Sequence, residues 1–356
     1  MKLNMKELWA STIIVFIIFA LSSICSIPEE NFIREIILLI GFIAGLWAVF
    51  RGSEAAVVGL KSAVIHIGQT EYTAGVISSL ASNSPELVVA ALMSFRGLNI
   101  GSKELIEVAA LTVIIGAGFN VLLLGLLIVV ISWKKGEVRF PYKAIAHESD
   151  LIRMAIVTCL LLFAYAVIMS GEGSYPRELG IFMLATYASY VFFLTKSQKI
   201  KAKAKPNLTK RATMLYLALG FAAIIFGGEL IVRSVEYVIH VAHINIVTTA
   251  IIIGCIGSIP EHGVALIGAH KGFVELGLAN LLGGITQYIL VIFGIMMILV
   301  PLPIDGYIMF QLISIASSLW IVKKAIIDDQ KLTLDEGVFI LILQVMLFIM
   351  LEELRM

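Results

Sequence analysis

Two stretches decide the fold: residues 78–97, SSLASNSPELVVAALMSFRG, and residues 254–272, GCIGSIPEHGVALIGAHKG. Each carries a polar turn inside an apolar run, with one proline followed directly by one glutamate. An offset of 175 residues lays Pro85-Glu86 on Pro260-Glu261 and Arg96-Gly97 on Lys271-Gly272. The same offset brings Gly52 to Gly227 and Glu54 to Glu229. Further on, the first copy holds a short insertion, and at an offset of 167 Gly116 meets Gly283 and Asn120 meets Gln287. Self-similarity over such a distance marks an internal repeat.

The surroundings of these stretches are a bilayer. Of 356 residues, 60% are apolar and 14% charged, against about 45–50% and 25% in soluble domains. A soluble fold cannot keep its surface wet with so few charges, so the chain is polytopic in the membrane. This excludes a soluble enzyme and a secreted disulfide scaffold. A formal net charge of +1 offers no field for nucleic acid. Cys25, Cys159 and Cys255 form no metal or disulfide pattern and read as small packing residues.

A helix needs about 20 apolar residues to cross the hydrocarbon. Eleven segments meet that need: 8–27, 35–66, 71–95, 104–132, 150–170, 177–195, 211–239, 245–270, 274–300, 304–323 and 335–353. Lysine and arginine crowd the loops 133–149 and 196–211 and recur at Lys323-Lys324, all on one side in this reading. The positive-inside bias makes that side the cytoplasm. The segment 8–27 is read as a retained helix, with a cleaved signal peptide as the alternative. Residues 1–30 then form the extra N-terminal helix, 31–195 the first five-helix repeat, 196–210 a basic cytoplasmic linker and 211–356 the second repeat. Five spans are an odd number, so the second repeat enters from the opposite side, as in secondary transporters. The expected fold is an all-α polytopic membrane protein, a ten-helix core of two inverted five-helix repeats plus one extra N-terminal helix.

Glu86 and Glu261 fall in mid-span, where a carboxylate is costly and marks an ion pathway. Proline cannot donate to the carbonyl four residues back, which leaves the oxygens of Ala81 and Ile256 open. Ser78, Ser79, Ser82, Asn83 and Ser84 crowd one turn; Gly254, Gly257 and Ser258 crowd the other. Each turn offers backbone, hydroxyl or amide oxygens and a carboxylate. Face to face, two such turns form an oxygen cage of the kind Ca²⁺ takes, with about 6–8 ligands. The ion-binding candidates are Glu86 and Glu261 as the metal carboxylates, with Ser82, Asn83, Ser258, Asn280, Ala81 and Ile256. Ser79, Gly257, His262, Asn120 and Gln287 stand behind them. Asn280, Asn120 and Gln287 either line the site or hydrogen-bond between helices. His262 points about 100° away from Glu261 on a helix, which suits a proton relay. Glu54 and Glu229, close in sequence to Arg51, Lys61 and Arg233, read equally as ion pairs or as a gate. No Cys and His cluster invites a soft metal, and no cofactor is expected.

At these residues the chain resembles the cation/Ca²⁺ antiporter superfamily, whose members carry two α-repeats with a polar turn ending in Pro-Glu. The resemblance runs through both stretches above and on to Gly294, and the span pattern extends it over about 320 residues. It implies secondary active exchange of Ca²⁺ for H⁺ or Na⁺, with membrane lipid and these ions as the partners. Na⁺/Ca²⁺ exchangers typically show GTSLPE and an Asn or Asp three residues before a GSN motif. Ser258-Ile259-Pro260-Glu261 and Asn280 are similar to that, whereas the first copy has Val113 in place of the second amide, and Ser82-Asn83 in place of Thr-Ser. H⁺/Ca²⁺ exchangers show an Asn-containing turn, a Glu-His pair and a Gln after a Gly-rich turn; Asn83, Glu261-His262 and Gln287 resemble these. The mosaic tilts toward protons, with the Na⁺/Ca²⁺ exchanger as the alternative.

In this reading Ca²⁺ and its counter-ion compete for the two carboxylates. The spans 35–66 and 211–239, with Gly41, Gly45, Gly52, Gly220, Gly227 and Gly228, either gate the site or simply pack closely. A cation channel would use the same glutamates as a selectivity ring, although an inverted repeat fits a transporter better. An intramembrane hydrolase lacks its motif, since there is no HExxH and Gly257-Ser258 is not a GxSxG elbow. Short loops and the lack of an organelle signal point to a prokaryotic cytoplasmic membrane. The oligomeric state is left open.

Overall fold

The computed structural model describes residues 9, 10, 13, 17, 32–68, 71–133, 136–139, 142–169, 173–197, 205, 206, 208–270, 274–328 and 331–354. Among these, side chains are not described at 32, 71–73, 75, 76, 78, 139, 142–148, 194–197, 259–265, 267, 268, 270, 275, 276 and 326–328. The expected N-terminal helix over 8–27 lies almost wholly outside the described residues, as do 198–204 of the expected linker.

Helices dominate because the segments are apolar on all faces and a backbone in lipid must satisfy its own hydrogen bonds. In chain order they are α1 (Phe32–His66), α2 (Glu71–Ser82), α3 (Ser84–Ile100), α4 (Lys103–Ser132), α5 (Tyr142–Ile168), α6 (Arg177–Ser197), α7 (Lys210–His240), α8 (Ile246–His270), α9 (Val274–Gln287), α10 (Gly294–Leu299), α11 (Gly306–Asp328) and α12 (Leu334–Glu353). Among the described residues, seven helices are long and apolar enough to cross a membrane. Two expected spans are not single α-helices. The span 71–95 is interrupted at Asn83, between α2 and α3. The span 274–300 passes from α9 through a π-helical segment, Tyr288–Phe293, into α10.

The chain divides into two compact units, and each draws on both sequence halves. The first comprises Met1–Leu105 and Thr195–Asn245, so it holds α1, α2, α3 and α7. Its backbone is the antiparallel α1–α7 seam. A Cβ on Gly45 would lie 2.6 Å from the Gly227 carbonyl oxygen, and one on Gly52 would lie 2.6 Å from that of Gly220. The reverse approaches are as tight, 2.8 Å from Gly220 to the Gly52 oxygen and 2.7 Å from Gly227 to the Gly45 oxygen. Only glycine lets the two backbones come this close, the small-residue packing common in membranes. Gly45 and Gly52 are also the repeat counterparts of Gly220 and Gly227 at the offset of 175. The seam therefore pairs each glycine with the counterpart of its neighbour, the pattern of a local two-fold relation. Beside it, Ala56, Ala81 and Ile224 make a small core from α1, α2 and α7, and Gly228 admits Leu92 of α3.

The second unit comprises Ile106–Leu194 and Ile246–Met356. Within it α4 packs on α8 and α12: Gly254 faces Thr112 and Ile115, and Gly125 faces Ile340 and Leu341. Two short strands, β1 (Glu137–Arg139) and β2 (Lys331–Thr333), pair antiparallel with Glu137 opposite Thr333. Lys331 and Glu137 add an ion pair of 3.1 Å. Thr333 and Glu336 then start α12 with a capping box, which satisfies donors at the helix entrance.

Candidate functional site

The first Pro-Glu turn is a helix break. Asn83 leaves helical geometry at φ −86°, ψ 3°, and α3 begins afresh at Ser84. Pro85 thus sits in the first turn of α3, where its missing N–H costs nothing. The break exposes the last carbonyls of α2, and nearby side chains take them. Ser82 Oγ donates to the Ser79 oxygen at 2.7 Å, and Asn83 Nδ2 reaches the same oxygen at 3.4 Å. Ser84 Oγ donates to the Ala81 oxygen at 2.7 Å. Ser53 Oγ donates from α1 to the Ser82 oxygen at 3.3 Å. The Ala81 carbonyl, expected to be open, already accepts the one hydrogen bond from Ser84, and a carbonyl oxygen has a second acceptor position.

Glu86 follows in the same first turn, 5% exposed, with Asn83 at 2% and Ser84 at 7%. A helix N-terminus favours a carboxylate and a helix C-terminus favours a cation. The α3 entrance and the α2 exit meet at this turn. Glu86 Oε2 and Asn83 Oδ1 are buried with no hydrogen-bond partner among the described residues, and both residues have further interactions.

The second Pro-Glu turn is built differently. The backbone of α8 runs unbroken from Ile246 to His270, through Pro260 and Glu261. The side chains of Pro260, Glu261 and His262 lie outside those described. Ser258 is fully buried, and its Oγ lies 3.2 Å from the hydroxyl of Tyr288. Ile256 and Gly257 are half-buried.

The partner residues behave unequally. Gln287 donates from Nε2 to the Tyr187 hydroxyl on α6 at 3.0 Å, the interhelical hydrogen bond that was one of its two readings. Asn120 is fully buried, and neither amide atom finds a hydrogen bond among the described residues. Asn280 is half-buried on α9, one turn before Gly283, beside which there is open space. Glu54 and Glu229 form ion pairs, with Arg51 at 2.8 Å and Arg233 at 3.1 Å. The sequence reading missed Tyr288, Tyr187 and Ser53. The only local signal was a phenol hydroxyl beside Gln287 in an otherwise apolar run.

A family model described as sodium/calcium exchanger protein matches residues 37–196 and 212–354. CaxA of Alkalimonas amylolytica is 23% identical over 292 residues, which span 77% of this chain and 83% of that protein. The fold is similar to that of the H⁺/Ca²⁺ exchanger CAX, with a TM-score of 0.72 at 15% identity, covering 98% of this chain and 92% of the other. It is also similar to the sodium-calcium exchanger NCX_Mj, with a TM-score of 0.57 at 17% identity, covering 90% and 100%.

Proposed function

The chain belongs to the sodium/calcium exchanger protein family, a family of membrane transporters and not of enzymes, and from that premise we propose that it exchanges Ca²⁺ for protons by alternating access. It is a multi-pass integral membrane protein. Exchangers of this family carry their cation without a cofactor, so the chemistry rests on side chains and backbone.

In this reading Glu86 and Glu261 are the carboxylates that take Ca²⁺. Oxygens of Ser82, Asn83, Ser258, Asn280, Ala81 and Ile256 complete its shell. The observation that carries the reading is Glu86, a carboxylate buried to 5% exposure in an apolar span, whose Pro-Glu motif recurs 175 residues later. An emptied carboxylate in a low-dielectric site sheds its charge by taking up a proton. Two protonated glutamates are as neutral as two ionised ones holding Ca²⁺, so a proton exchange of this kind moves no net charge through the site. Sodium would need more oxygens, and Val113 supplies none where Asn280 stands in the second half. The basic loops face the cytoplasm by the positive-inside bias.

Radiolabelled Ca²⁺ uptake into proteoliposomes, with a pH or a Na⁺ gradient imposed and the voltage clamped, tests the reading. Uptake driven by the pH gradient alone is expected. Uptake driven by Na⁺ alone would replace the proton with sodium, and uptake driven by neither would remove Ca²⁺ exchange altogether.

A further inference from the structure

The π-helical segment opens at Tyr288, and such segments occur mostly as single turns, frequently at functional sites. Tyr288 is fully buried. Its ring lies against α4 at Gly116: a Cβ there would fall 2.5 Å from the ring Cε1, so glycine is what admits the phenol. Its hydroxyl reaches Ser258 Oγ on α8 at 3.2 Å. One side chain thus ties together α4, the π segment and the turn that leads into Pro260-Glu261, all within the second unit.

The first half has no equivalent. At the offset of 167 Tyr288 corresponds to Val121, and at 175 Ser258 corresponds to Asn83. Asn83 holds itself, through Ser79 of its own helix end. A lone serine in a helix tends to turn its hydroxyl back to a carbonyl one turn earlier. A phenol bonded to it limits that rotation and fixes where its remaining lone pair points. Donors fixed in advance bind more tightly because less freedom is lost on binding.

We propose that Tyr288 is a positioning residue for the cation site, acting through the hydroxyl of Ser258. The inference rests on the Ca²⁺ exchange reading above. Tyr288 sets cation affinity and leaves the transport cycle itself intact.

The test is Ca²⁺ uptake in proteoliposomes by Tyr288→Phe, alone and combined with Ser258→Ala. Tyr288→Phe is expected to raise the half-saturating Ca²⁺ concentration roughly three- to tenfold, the scale of one hydrogen bond, with the maximal rate held within about twofold. In the Ser258→Ala background the same change should add nothing, whereas Ser258→Thr, which keeps the hydroxyl, should stay sensitive to it. Gly116→Ala, which displaces the ring but keeps its hydroxyl group, should reproduce the affinity loss and serves as the second route if Tyr288→Phe does not fold. An unchanged half-saturation in both Tyr288→Phe and Gly116→Ala would overturn the inference. So would an equal shift with and without Ser258. If the wild-type protein takes up no Ca²⁺, the exchange reading fails and this inference falls with it. If wild-type uptake is normal and only the predicted shift is missing, the inference alone fails.

Discussion

Along the α1–α7 seam the two halves follow their repeat at two reciprocal glycine contacts, whereas at the two Pro-Glu turns they part. In the seam, Gly45 and Gly52 meet Gly227 and Gly220 at nearly equal distances. At the turns, the first copy breaks its proline helix at Asn83 and keeps a regular partner in α4. The second copy keeps its proline helix α8 whole and places the irregularity in the partner helix, at Tyr288–Phe293. Irregular backbone at membrane depth is tolerated where protein buries it or a cavity needs it. The contrast teaches that backbone packing holds the repeat strictly, while each turn satisfies its freed polar groups in its own way. The Pro-Glu pair, with its carboxylate, is what both turns share.

The largest effect tests that common element. Glu86→Gln and Glu261→Gln should each reduce Ca²⁺ uptake by about a hundredfold or more, the scale of removing one partner from a buried charged site. Both proteins should still reach the membrane folded, as read by size-exclusion profiles. A variant with near wild-type uptake would make the repeat asymmetric even at its glutamates.

Next come the seam glycines. Gly52→Ala and its counterpart Gly227→Ala each drive a Cβ onto a backbone oxygen, at 2.6 and 2.7 Å. Each should lose about 1–3 kcal/mol in thermal or denaturant unfolding, the cost of overpacking. The two losses should agree closely, and a wide gap between them would show that the two-fold relation is only geometric.

The smallest effect separates the turns. Pro85→Ala should change stability by less than about 0.5 kcal/mol, because a proline in the first turn of a helix costs little. Pro260→Ala, inside α8, should stabilise by roughly 1 kcal/mol as the helix regains a hydrogen bond. It should also lower Ca²⁺ uptake, because the Ile256 carbonyl is then occupied. Equal responses at the two prolines would contradict the structural difference between the turns.

Much of this architecture was legible in the sequence. Long apolar runs placed most of the described helices within a few residues, although α5 starts at Tyr142, eight residues before its expected span, and the offset of Pro85-Glu86 to Pro260-Glu261 exposed the repeat. The break at Asn83 was not legible, because Pro-Glu reads the same in both copies. What separates them is the supply of donors for the freed carbonyls, and one of these, Ser53, comes from another helix. Tyr288 was hidden for the same reason: its partners Gly116 and Ser258 lie 172 and 30 residues away. The seam glycines were visible as small residues, but nothing along the chain says that Gly45 faces Gly227 and not its own counterpart Gly220.

The most direct test counts protons against Ca²⁺ in one experiment, with a pH dye inside voltage-clamped proteoliposomes and isotope uptake on the same sample. Two carboxylates that alternate between protons and Ca²⁺ predict about two protons released for each Ca²⁺ taken up, with no current. Ca²⁺ uptake without proton movement, or with a steady inward current, would contradict the account.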